Sequence, residues 1–99
     1  MSYASGEMRV YQLNHMVDAR FLTTFLDGRP EILNWLIVMP GMMVVVSRSD
    51  LLALTDILHA AFPWLKFMLT EVQSHTVNGF MDNAVWDFVN NPRSSGRWE

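Results

Sequence analysis

Residues 32–46 read ILNWLIVMPGMMVVV, and the reading of this stretch decides the fold. Met39-Pro40-Gly41-Met42 is a turn signal: proline sets φ at the first central position and glycine accepts a positive φ at the second. The flanking segments are rich in Val, Ile and Trp, so the whole reads as a β-hairpin. A type II turn matches strand twist poorly in a two-residue hairpin, which predicts a bulged connection. With strict alternation, Leu33, Trp35, Ile37 and Met39 face one way, and Ile32, Leu36 and Val38 the other. Met42 to Val46 has no polar alternate. Near-continuous apolar strands belong to sheets covered on both faces. The hairpin therefore asks for two covers, from the rest of the chain or from a partner.

The segments on either side supply the remaining elements. Met8 to Met16 reads as a first strand on the strength of Val10, Tyr11 and Leu13. Asp18 is placed as a helix N-cap, Phe21, Leu22, Phe25 and Leu26 form one helical stripe, and Gly28 with Pro30 closes the helix. After the hairpin, Ser49 is expected as the cap of a second helix, with Asp50 favourable at its positive end. Leu51, Leu54, Leu58, Ala61 and Phe62 are its expected buried stripe, and Pro63 ends it. Leu65 to Val72 reads as a fourth strand, with Lys66 and Glu71 guarding an edge. Gln73 to Phe80 is a polar loop around Asn78-Gly79. Asp82 caps a short last helix over Asn83–Asn90, which Pro92 stops. The order β-α-β-β-α-β-α predicts an α+β, ferredoxin-like, four-stranded antiparallel sheet (βαββαβ) with two helices on one face and a short C-terminal helix. One domain is expected over residues 8–91, between a flexible N-terminus (1–7) and a polar tail (92–99).

Composition narrows the function classes. The chain has 99 residues, 51% of them hydrophobic and only 17% charged, so the polar surface is thin and association is favoured. A net charge of -3 leaves no basic footprint for nucleic acid. There is no cysteine, which removes disulfide and thiolate chemistry. No signal-peptide core and no stretch long enough to span a membrane is visible, so a cytoplasmic protein is expected.

No motif announces a chemistry. His15, His59 and His75 fall on a strand end, an outer helix face and a loop, without the paired spacing a metal site needs. Of Asp18, Asp27, Asp50, Asp56, Asp82 and Asp87, three already have cap roles. No metal or cofactor is expected. The polar residues of interest are Asn14 and His15 at the end of the first strand, with Asp18 just beyond, because strand ends beside a helix N-terminus often form sites. The expected contact surface is the apolar sheet: Trp35, Ile37, Met39, Met42, Met43, Val44, Val46 and Met68, where flexible thioethers suit an adaptable interface.

The element order, the Trp35 to Val46 hairpin, the SRSDLLALTDIL helix and the late VWDFVNNP segment resemble the small SinR-like proteins, ferredoxin-fold relatives of the CRISPR adaptation nucleases. The resemblance covers Val10 to Asn91 in layout. It implies pairing of two copies through their sheets. Nuclease members of that family carry an aspartate at the end of the first strand; Asn14 and His15 stand there in this chain, so no catalytic residue is carried over. The expectation is a non-enzymatic protein acting by protein–protein association, first as a homodimer through its apolar sheet face. A phage or mobile-element inhibitor, such as an anti-CRISPR protein, fits that description. The alternatives are a degenerate metal-dependent nuclease using Asn14, His15 and Asp18, or a subunit of a larger complex.

Overall fold

The computed structural model describes residues 7–73, 79 and 81–96. Seven elements follow in chain order: β1 (Arg9–His15), α1 (Ala19–Asp27), β2 (Ile32–Met39), β3 (Met42–Ser47), α2 (Leu51–Ala61), β4 (Phe67–Val72) and α3 (Asn83–Asn90). The protein is α+β, with one four-stranded antiparallel sheet in the order β2-β3-β1-β4. Since β1 and β2 both run against β3, they are parallel to each other with β3 between them. By the same logic β3 and β4 are parallel with β1 between them. Two crossovers, through α1 and α2, therefore interleave.

In the apolar hairpin β3 is an interior strand and β2 a border strand, and its own chain supplies cover on both sides. Tyr11, Leu13, Met43 and Val45 meet Leu22 and Leu26 of α1 and Leu54 and Leu58 of α2. On the opposite side Val10, Leu33, Val44 and Val46 meet Val89 of α3. Burial of each such side chain contributes about 1.5–3 kcal/mol, so the third helix is a structural necessity for four wet aliphatics.

Two β-bulges correct the expected alternation of β2. Ile32 pairs with Ser47 but Asn34 with Val46, and Ile37 pairs with Met43 but Met39 with Met42. Each shift inserts one residue, and each insertion reverses the facing of what precedes it. Ile32 accordingly packs with Trp35 towards α1 and α2, while Leu33 packs with Val38 towards α3. This is the reverse of the strict alternation for that pair. The turn itself is as the sequence reads: Gly41 has φ 82°, and a Cβ there would stand 3.0 Å from the His15 carbonyl oxygen.

The first two helices are capped by side chains at their N-termini, whereas Asp82 sits at the cap position of α3 without a side-chain cap hydrogen bond. Asp18 accepts from Arg20 N at 2.9 Å. Asp50, not Ser49, caps α2, accepting from Ala53 N at 2.8 Å. Ser49 is one residue too early, and its carbonyl instead accepts the Tyr11 hydroxyl at 2.6 Å. Of the expected α2 stripe, Leu54 and Leu58 are buried, whereas Leu51 and Ala61 are exposed. Gly28 closes α1 with φ -93°, so it does so without the left-handed conformation. Beyond α3 the chain runs along β2: Ser95 N donates to Leu33 O at 2.8 Å and Asn34 Nδ2 to Arg93 O at 3.2 Å. His75, Asn78 and residues 1–6 and 97–99 lie outside the described residues.

Candidate functional site: an apolar pole

The expected contact residues divide between the two faces of the sheet. Cross-strand partners share a face, so Trp35, Ile37 and Met43 belong with α1 and α2, and Met42, Val44, Val46 and Met68 with α3, while Met39 follows the second bulge and pairs with Met42 beside the turn. Met43, Val44 and Val46 are fully buried inside the chain. Trp35 is half-buried, its Nε1 donating to Asp27 Oδ1 of α1 at 2.8 Å. Only Ile37, Met39 and Met68 of the eight are exposed.

Exposed apolar surface is concentrated elsewhere, at the end of the sheet where β1 and β2 finish and β4 begins. Met16 is 91% exposed and Trp64 60% exposed, and both line one shallow depression with Val17 and Lys66. Val17 also borders the neighbouring depression with Ile37, Met39 and Gly41. Phe21 extends the patch over α1. Its ring centroid lies 5.5 Å from Trp64 and 5.2 Å from Phe62, while Phe62 lies 5.0 Å from Phe25. Met16, Phe21, Ile37, Met39 and Trp64 thus form one continuous apolar pole. With the fractional exposures above and whole side-chain areas of roughly 150–250 Å², it presents on the order of 600 Å², at the upper end of the largest patch on a typical monomer.

The polar residues at this end do not converge. His15 is buried on the α1–α2 side and Asn14 is exposed on the α3 side. Asn14 Oδ1 accepts from Gln12 Nε2 at 2.9 Å. The His15 amide donates to Gly41 O at 2.9 Å, which ties the hairpin tip to β1. Neither His15 ring nitrogen has a hydrogen-bond partner among the described residues. Asp18 is exposed at the α1 N-terminus, where the Arg20 side chain and amide hold its carboxyl down at about 2. Among the described residues no group of three His, Asp or Glu is placed to hold a metal ion. His59 is exposed near the end of α2. No helix among the described residues is long and apolar enough to cross a membrane.

Met16 and Trp64 are the residues sequence reasoning missed. The sequence alone reads Met16 as a strand end and Trp64, like Trp35 and Trp86, as a packing residue, with one of the three a plausible anchor if it lies at an interface. The available signal was their position: both fall in connections, where a large apolar side chain has little of the core within reach. Comparison with known proteins returns nothing: no family model matches the chain, no curated protein matches its sequence and no solved structure matches its fold.

Proposed function

We propose that this is a non-enzymatic protein that acts by protein–protein association, pairing first with a second copy of itself, and that the contact is the pole around Met16 and Trp64. The observation that carries the proposal is that five exposed large apolar side chains gather at one end of the molecule, with Leu52 of α2 and Met68 on the α3 side of β4 standing apart from them. A patch on the order of 600 Å² approaches the roughly 800 Å² per partner of a standard interface. Trp64, packed beside Phe21, has the chemistry of an anchor residue. The methionines of the pole (Met16 and Met39) can adapt to the opposing surface. The interleaved crossovers support reading the architecture as ferredoxin-like, and with it the SinR-like layout. In this reading the pairing surface moves from the sheet face to the sheet end, because α3 occupies part of the face. A nuclease built on Asn14, His15 and Asp18 draws no comparable support, since the first two lie on opposite sides of the sheet and the third is spent on a helix cap.

Light scattering or sedimentation over a concentration series tests this. The expected result is a species heavier than the 11.4 kDa chain, returned to monomer by Trp64→Glu with unchanged circular dichroism. Met68→Glu, exposed on the α3 side of β4, is expected to leave the assembly intact. A monomer at every concentration overturns the proposal, and so does an assembly that Met68→Glu dissolves and Trp64→Glu leaves alone.

A further inference from the structure

The cover provided by α3 is incomplete. Its last turn is seated on the sheet through Val89, with Phe88 beside it. Its first turns stand off, and a cleft of about 210 Å³ lies between them and the sheet. Val44, Met42 and Val72 form the floor; Met81, Val85 and Trp86 form the roof. An apolar cavity of about 150 Å³ is enough to take benzene. The space here suits a substituted single ring or a small fused pair of rings. Among the described residues two hydrogen-bonding side chains line it, Gln12 and Trp86. The Gln12 amide nitrogen is engaged, donating to Asn14 Oδ1 at 2.9 Å and to Met42 Sδ at 3.3 Å. Those donations orient the carboxamide, and no donor to its carbonyl oxygen, Oε1, is found among the described residues.

We propose that the cleft between α3 and the sheet is a binding site for a small, neutral, planar aromatic compound carrying one N–H or O–H donor, of the size of indole. The ring lies between the Val44 and Met42 floor and the Trp86 indole, where apolar contact and ring–ring packing supply affinity. Its donor is received by Gln12 Oε1, which makes the amide the specificity-determining group. A charged ligand is disfavoured, because among the described residues no ionisable side chain lines the cleft to compensate its desolvation. The site is independent of the apolar pole and does not rest on association.

Ligand-observed NMR or calorimetry on the full chain, with indole and 1-methylindole as probes, tests the proposal. Saturable one-to-one binding of indole in the millimolar range or tighter is expected. Val85→Phe fills the space from the helix side and should weaken binding at least tenfold; Met81→Phe does so from the preceding segment, should the first variant fail to fold. Loss of one neutral hydrogen bond makes 1-methylindole about three- to tenfold weaker than indole. In Gln12→Leu that difference should disappear. Absence of saturable indole binding overturns the proposal, as does binding that both cleft-filling variants leave unchanged. Equal affinity for indole and 1-methylindole overturns the role given to Gln12.

Discussion

At the scale of single residues, the turn glycine and the first helix cap carry sharp consequences. Gly41 sits at φ 82° with the His15 carbonyl 3.0 Å from where a Cβ would be. Gly41→Ala should cost about 1–2 kcal/mol for the left-handed backbone alone, with a further penalty from that contact. A urea titration would show it as a lowered midpoint with an unchanged slope. Asp18 is exposed, and its carboxyl is held at about 2 mainly by the Arg20 side chain, then by the Arg20 amide. A carboxyl with a native value below the unfolded one favours the fold above about 3.9 and loses that contribution as the pH falls towards 2. Arg20→Gln should move the Asp18 titration, followed by carboxyl NMR, back up towards the ordinary value. Tyr11 is the buried counterpart: burial, then the charge of Glu71, raise its hydroxyl above the usual value while it donates to Ser49 O. Its contribution is full below about 10 and is lost as the pH rises through the higher native value.

At the scale of elements, α3 matters more than its eight residues suggest. Val10, Leu33, Val44 and Val46 depend on it for their burial. Losing that burial gives up on the order of the 5–15 kcal/mol that holds a domain together. Val89→Asp should therefore destabilise by about 2–4 kcal/mol and raise the fluorescence of a hydrophobic dye, because a buried carboxylate loosens α3 from the aliphatics beneath it. A variant with unchanged dye binding and midpoint would show that α3 is not the cover. Much of this scale was legible in the sequence. Prolines and capping residues bounded the helices to within a residue or two, and the apolar hairpin correctly demanded two covers. What escaped was the phase of β2. A bulge leaves no mark in a run such as ILNWLIVM, because every position is apolar or nearly so and a shift of one exchanges one hydrophobe for another.

At the scale of the whole molecule, the site was less legible than the fold. Met43, Val44 and Val46 look like contact residues because they are apolar, yet burial within one chain and burial between two chains select the same residue types. The distinction depends on where α3 lies, and nothing in NAVWDFVN says which face it will choose. Met16 and Phe21 are local to one another, but Trp64 comes from a distant part of the chain and joins them only through the crossovers. If the pole is the contact, its apolar character predicts that association strengthens with a salting-out ion such as sulfate rather than dissolving in it. Sedimentation in sodium chloride and sodium sulfate would check this, and dissociation by either salt would point to ion pairs instead.

The run of Arg93 to Ser95 along β2 has a last implication. At the start of β2 that border of the sheet is occupied by the chain's own backbone, whereas the outer side of β4 has no partner strand among the described residues. A body with one open margin can zip to its twin and is then finished, whereas a body with two can propagate into a fibre. Removing residues 93–96 would bare the start of β2 as well, and so lengthen the margin on which a strand of another molecule could add.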